Sequence, residues 1–266
     1  MESVLADLVA EYEALDSIVA DLDGKKWSDT TPCGSWTIKD GISHLAYFDR
    51  AAFLSATDPS AFKKDVEWML EGFSDYDRMY ARVNAVGNAM APEDLLSWWR
   101  NQRTRLVDAF RTLAPGIRLP WYGPPLTPKN AITGRLMETW AHGRDIADTL
   151  GLEPVATDRL RHIAGLGVAT FGWSFKNRQM KVPETPVRVE LSLPSGRTFV
   201  KGAETPTNRV SGSALDFCLV VTQRRHLKDT DLDIRGEAAG QWMKIAQAFA
   251  GPPEEGPGPG ERIVSR

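Results

Sequence analysis

The amino-acid sequence predicts two domains, an all-α four-helix bundle over residues 1–152 and a small α+β domain over 153–251. Three observations carry this prediction. Up to Leu150, apolar residues recur at three- to four-residue spacing in long stretches, which is the period of an amphipathic helix. Beyond Gly151 a two-residue alternation sets in at Val187-Arg-Val-Glu-Leu-Ser-Leu193, the pattern of a half-buried strand. At 266 residues the chain is long for one compact domain and comfortable for two.

Residues 2–22 read as the first helix, with Val4, Leu5, Leu8, Tyr12, Leu15, Val19 and Leu22 on its apolar face. Asp23-Gly24 ends it, because Gly accepts the left-handed conformation after a helix. Ser28 to Ser35 is dense in turn residues. The second helix starts near Trp36 or Thr37, capped by Ser35 or Thr37, and runs to about Ala56. Asp58-Pro-Ser60 breaks it, and a short helix follows over 61–70. Residues 75–89 are helical, and Ala91-Pro92-Glu93 restarts a helix that reaches about Leu113. After an extended loop over 116–125, Thr127 caps a helix that begins at Pro128 and stops at Gly151. The four long members of this set define the bundle.

In the second half, 157–173 is expected to be one helix. Val187–Leu193 and Arg197–Lys201 are expected strands around Pro194-Ser-Gly196. Ser213–Thr222 reads as a helix, Leu232–Arg235 as a short strand and Ala238–Phe249 as a final helix. Residues 252–266 are so rich in Pro, Gly and Glu that a disordered tail is expected.

Composition narrows the function classes. Hydrophobic residues are 42% and charged residues 25%, ordinary for a globular protein, and the net charge is -3. No basic run exceeds a pair such as Arg224-Arg225, so no nucleic-acid partner is expected. No stretch of eighteen apolar residues exists, so no membrane partner is expected either. The first residues are acidic and amphipathic rather than basic and apolar, so a signal peptide is not expected. Cys33 and Cys218 are too few and too far apart for a disulfide scaffold, which favours free thiols and a cytoplasmic protein. Several of the nine tryptophans fall in the first half, where they are expected in the core or lining a ligand pocket.

Three residues stand out chemically. Glu138 and His142 are spaced i, i+4 in the last bundle helix, which stacks them on one face. His44 lies on the second helix, beside Leu45 and Ala46. Two imidazoles and a carboxylate converging between helices would make a three-ligand metal site with an open position, as catalytic zinc requires. The alternatives are a hydrogen-bonded core histidine and an i, i+4 pair on a helix. Leu136, Met137, Trp140 and Ala141 make that helix mostly buried, where a carboxylate needs a partner or a metal.

Asp40, one turn before His44, is a candidate to accept a hydrogen bond from an imidazole, or else a helix N-terminal carboxylate favoured by the dipole. Asp145 is a second candidate to support the ligands, while Asp145 and Asp148 are also expected to pair with arginines such as Arg135 and Arg144. Arg224 or its neighbour Arg225 could hold a substrate carboxylate, and Arg78 and Arg82 are weaker candidates. His162 and His226 have no metal-spaced partner. Cys33 precedes the second helix, but no histidine base is local to it in sequence.

The segments Thr31-Pro-Cys33-Gly-Ser-Trp36-Thr-Ile-Lys-Asp40-Gly-Ile-Ser-His44-Leu and Glu138-Thr-Trp-Ala-His142-Gly-Arg-Asp145-Ile-Ala-Asp148 resemble the DinB-like superfamily, and within it the mycothiol-dependent maleylpyruvate isomerase group. His44, Glu138 and His142 match the metal positions of that pattern. The second half looks like the sterol-carrier-like domain that follows the bundle in this group. Its stretch Val210–Arg224 resembles a helix that ends in an arginine, with Gln223 where the family has glycine.

The resemblance implies a divalent metal, zinc above all, that binds a low-molecular-weight thiol such as mycothiol as thiolate. It further implies an enzyme, an isomerase or thiol transferase, acting on a small electrophilic and possibly acidic substrate. The same site could instead activate water for hydrolysis, and a binding protein with a structural metal is the non-enzymatic alternative. A monomer or a homodimer is expected.

Overall fold

The computed structural model describes residues 1–204 and 207–262. The chain divides into two compact units, Met1–Leu152 and a second that begins at Glu153. No helix among the described residues is long and apolar enough to cross a membrane.

The first unit contains helices α1 (Glu2–Val19), α2 (Ile38–Thr57), α3 (Pro59–Leu70), α4 (Tyr76–Asn88), α5 (Pro92–Arg111) and α6 (Pro128–Leu150). The long helices α1, α2, α5 and α6 are the bundle, with α2 packed on α5 and α4, and α1 on α6. Helix α2 starts where its capping chemistry dictates. Thr37 Oγ1 accepts from the Asp40 amide at 3.2 Å, while Asp40 Oδ2 accepts from the Thr37 amide at 2.8 Å. Helix α6 is capped by Thr127, has Pro128 in its first turn, and ends at Gly151 with φ +67°.

The core runs along α2. Ile38, Ile42, Leu45 and Ala46 are fully buried, and Tyr47, Phe48 and Ala51 pack with Phe62, Met69, Met79 and Val83 of α3 and α4. Gly87 lets α4 lie against α2: a Cβ there would stand 2.4 Å from Ser43 Oγ. The Gly87 amide instead donates to that oxygen at 3.0 Å.

Buried polar groups fix the helices in register. On α2, Asp49 accepts from Tyr12 of α1 at 2.7 Å and from Arg135 Nε of α6 at 2.8 Å. Arg135 also donates to the Leu45 carbonyl at 3.3 Å. The sequence predicts Arg135 near Asp145 or Asp148. It lies instead on the face of α6 that meets α2, and Asp49 is its partner. Arg144 does meet Asp148, at 3.5 Å. One turn further along α1, Asp16 takes hydrogen bonds from Arg100 and Arg103 of α5.

The second unit holds α7 (Leu160–Ala169), α8 (Phe171–Lys176), β1 (Arg188–Ser192), β2 (Thr198–Lys201), β3 (Arg209–Ser213), α9 (Ala214–Val221), β4 (Asp233–Arg235) and α10 (Glu237–Ile245). The strands form one sheet in the order β2-β1-β3-β4, with β1 antiparallel to β2 and parallel to β3, and β3 antiparallel to β4. Val189, Leu191, Val210, Phe217 and Trp242 make its core.

Three departures from the sequence reading have physical causes. The helix expected over 157–173 is two helices that meet at Thr170, whose φ −90° and ψ 9° leave the helical region and whose Oγ1 bonds back to the Leu166 and Gly167 carbonyls. Strand β3 went unrecognised. It offers one large apolar residue, Val210, and Gly212 sits at φ +146°, where a Cβ would meet Leu232 at 2.9 Å. The segment 252–262, expected to be disordered, is tied down by polar contacts. The Glu254 carbonyl accepts from Gln223 Nε2 at 2.7 Å, Pro252 O accepts from Gln247 Nε2 at 2.9 Å, and the Gly260 amide donates to Asp229 at 2.8 Å. These bonds need no apolar core, which is why composition does not reveal them. The last four residues of the expected tail lie outside the described residues.

Candidate metal centre

Helices α2 and α6 bring His44, Glu138 and His142 together. His44 Nε2 lies 3.5 Å and His142 Nε2 3.4 Å from the same oxygen, Glu138 Oε2. Both distances exceed a good hydrogen bond. They match the spacing of a coordination shell: two donors about 2.0–2.1 Å from a zinc ion at the tetrahedral angle stand about 3.3–3.4 Å apart. The donor set fits zinc in chemistry as well as in spacing, since imidazole nitrogen and carboxylate oxygen are both zinc ligands. The histidines are 6% exposed and the Glu138 side chain 25%, so the group is buried behind but reachable from one side.

The two imidazoles are held differently. His142 Nδ1 is 3.2 Å from Asp145 Oδ2, one helical turn on. A hydrogen bond there leaves the lone pair of Nε2 facing Glu138 and His44. His44 Nδ1 is buried with no hydrogen-bond partner among the described residues. Its ring is held by packing instead, against Phe48 at 4.6 Å, Trp36 at 5.0 Å and Tyr80 at 5.8 Å between centroids. Trp36 also stacks on His142, 5.4 Å away and 15° from parallel.

Burial pushes the His44 imidazole down to about 4, so it is neutral at neutral pH and ready to act as a ligand. Burial opposes the charge on Glu138, but the neighbouring His142 and His44 imidazoles hold its carboxyl well below the usual range. Burial also opposes a charged His142, yet Asp145, Cys33 and Glu138 raise it well above the ordinary histidine value. Without a metal, this is an imidazolium between carboxylates. A divalent cation answers the same negative surroundings and releases that proton on binding.

Asp40 does not support an imidazole. Its Oδ2 caps α2 and its Oδ1 accepts from Asn88 Nδ2 at 2.7 Å, so the helix N-terminal reading is the one the structure shows. Cys33 corrects a different inference. No histidine is near it in sequence, but the donor atoms of Cys33, His142 and Asp145 lie within 4.8 Å of one another. The turn that delivers it is stitched by hydrogen bonds from Thr31 N to Trp36 O at 2.7 Å and from Trp36 N to Cys33 O at 3.1 Å. Only the long-range contact of the 30–37 turn with α6 reveals this, and no sequence spacing encodes it.

The remaining candidates have partners of their own. Arg224 and Arg225 are buried in the second unit, donating to the Thr222 carbonyl at 2.6 Å and the Arg224 carbonyl at 2.7 Å. Arg82 pairs with Glu71 at 2.6 Å, and the Arg78 amide is capped by Asp75. His226 Nδ1 accepts from the Lys228 amide at 3.1 Å, a local turn.

Residues 8–147 match the family described as "Mycothiol maleylpyruvate isomerase N-terminal domain". Among curated proteins, the chain is 43% identical over 252 residues to "Uncharacterized protein MT0041" of Mycobacterium tuberculosis (strain CDC 1551 / Oshkosh), covering 95% of this chain and 97% of the relative. "Uncharacterized protein Rv0036c" of Mycobacterium tuberculosis (strain ATCC 25618 / H37Rv) matches to the same extent. Among solved structures, the mycothiol-dependent maleylpyruvate isomerase and its H52A mutant superpose with a TM-score of 0.54 and 18% identity, over 82% of this chain and 87% of theirs. That likeness carries the two-domain fold.

Proposed function

The chain belongs to the mycothiol maleylpyruvate isomerase N-terminal domain family, and from that premise we propose that it is a metal-dependent enzyme whose nucleophile is a low-molecular-weight thiol. The observation that carries this reading is the pair of distances, 3.5 and 3.4 Å, from His44 and His142 to one Glu138 oxygen. They support three side chains at the spacing of zinc ligands, and a three-ligand set is the one that a catalytic zinc with an open position uses. Zinc is the proposed ion and mycothiol the proposed thiol. The reaction class is addition to, isomerisation of, or transfer onto a small electrophile.

His44, Glu138 and His142 would hold the ion. Bound there, zinc would supply the means to deprotonate a coordinated thiol at neutral pH. The protein's own part is to fix and shield. Asp145 holds the His142 ring by its outer nitrogen, so that Nε2 keeps one orientation. Trp36, Phe48 and Tyr80 pack around His44 and keep water from its ring. Glu138 brings the negative charge that offsets part of the charge of the cation. Arg224 is the residue proposed to bind a substrate carboxylate.

The test is calorimetric titration of zinc-loaded protein with mycothiol, followed by turnover of maleylpyruvate and other electrophiles with and without the thiol. Saturable binding that is lost in His142→Ala, with turnover only when thiol is present, is the expected result. Turnover without thiol would replace this reading with metal-assisted hydrolysis. Zinc that binds without any thiol affinity would make the metal structural.

A further inference from the structure

Aromatic side chains form a continuous path from the metal centre to solvent. Tyr80 touches both inner rings, 5.8 Å from His44 and 5.7 Å from Trp36 between centroids. Tyr76 lies 6.3 Å from Tyr80, one helical turn earlier on α4, and Phe73 lies 5.4 Å beyond Tyr76 in the turn before that helix. Exposure rises along the path: Tyr80 is half-buried, while Tyr76 is 41% and Phe73 47% exposed. Large rings left in water beside a reactive centre cost hydration free energy unless something covers them, and contiguous exposed apolar patches mark binding sites.

The path carries little net charge. The guanidinium of Arg82 lies 4.6 Å over the Trp68 ring and is neutralised by Glu71 at 2.6 Å. Asp75 caps the start of α4 and faces the charge of Arg78, whose side chain also reaches Ser74 Oγ at 3.5 Å. The surface therefore matches a flat, uncharged group rather than a carboxylate.

We propose that Trp36, Tyr80, Tyr76 and Phe73 form a subsite that binds the flat, conjugated apolar part of the substrate, running outward from the thiol position. The proposal rests on the reading of the metal centre as a thiolate site, and it deepens that reading by naming the substrate class. Rings at 5–6 Å spacing prefer offset or edge-to-face partners, so a planar ligand can lie against the path without rearranging it. The first ring of a ligand attached to the metal-bound sulfur would meet Trp36 and Tyr80. A second ring would reach Tyr76, whose centroid is a further 6.3 Å out.

The experiment uses the full chain loaded with cobalt(II), which reports thiolate ligation by a charge-transfer band, and measures affinities by calorimetry. The probes are 2-mercaptoethanol, benzyl mercaptan and biphenyl-4-methanethiol. Each added ring is expected to tighten binding about three- to tenfold, the equivalent of one aromatic pair. Tyr76→Ala is expected to erase the gain of the second ring and leave 2-mercaptoethanol unchanged. Equal affinity for all three thiols, each with a cobalt band, would overturn the subsite and keep the thiolate reading. Ring-dependent binding that Tyr76→Ala abolishes, without any band, would keep the subsite and overturn the thiolate reading. A Tyr76→Ala protein whose thiol affinities stand but whose mass by light scattering falls would assign the patch to a contact between copies of the chain and overturn the subsite.

Discussion

The pin between Asp49 and Arg135 sets α2 against α6, the two helices that carry the candidate metal ligands, and Asp49→Asn tests it. Asp49 is fully buried and Arg135 is 4% exposed. One carboxylate oxygen accepts from Arg135 Nε at 2.8 Å and from Tyr12 at 2.7 Å. Burial raises the Asp49 carboxyl, and the arginine opposes that rise. The guanidinium cannot shed its proton, so the buried cation requires Asp49 as its counter-charge. Asparagine keeps the shape and an acceptor but removes the charge. Removing one partner of a buried pair costs about 3–5 kcal/mol. At roughly 2–4 °C per kcal/mol for a unit of this size, Tm should fall by about 6–20 °C. The assay is thermal unfolding followed by circular dichroism, with zinc content measured on the same samples. The double variant Asp49→Leu/Arg135→Met, which removes both charges, should recover most of the loss. An Asp49→Asn protein that melts within about 2 °C of wild type would refute the claim that the pair positions these helices.

Three further outcomes follow from the same geometry. Asp145→Asn should weaken zinc binding about 10- to 100-fold in chelator competition, because it loosens His142 at its outer nitrogen. Burial works against the Asp16 charge, but Arg100 and Arg103 lower its carboxyl below the ordinary 3.8. Its stabilising contribution is thus present above that value and lost as pH falls through the lower folded-state value. Urea midpoints of wild type and Asp16→Asn should differ at pH 6 and converge below pH 3.8. Gly87→Ala should destabilise by about 1–3 kcal/mol in urea unfolding, since its Cβ would press on Ser43 and on Leu95 at 2.8 Å.

Much of the first unit was legible because its signals are local. Thr37 and Asp40 spell a capping box, Thr127-Pro128 starts α6, and Gly151 ends it, so these bounds follow from neighbouring residues. His44, Glu138 and His142 were legible as candidates because two share a helix face and the third matches a family pattern. What stayed hidden depends on tertiary contact. Asp40 and Asp145 look equivalent in sequence, each placed near a histidine on its own helix. The carboxylate of Asp40 turns to Thr37 and Asn88, and that of Asp145 to His142. Arg135 chose Asp49 on another helix over acids on its own. Cys33 reaches His142 only because the 30–37 turn folds over α6. Strand β3 was missed because Ser-Gly-Ser carries no alternation, and its pairing with β1 supplies the order instead.

The proposed function requires His44, Glu138 and His142 to hold one catalytic metal ion. Metal analysis by inductively coupled plasma mass spectrometry, on purified wild type beside His44→Ala and His142→Ala, tests it most directly. About one zinc per chain in the wild type, lost in both variants while their circular dichroism stays helical, is the predicted result. Metal that persists in both folded variants, or a wild type that takes up none when zinc is supplied, would contradict it.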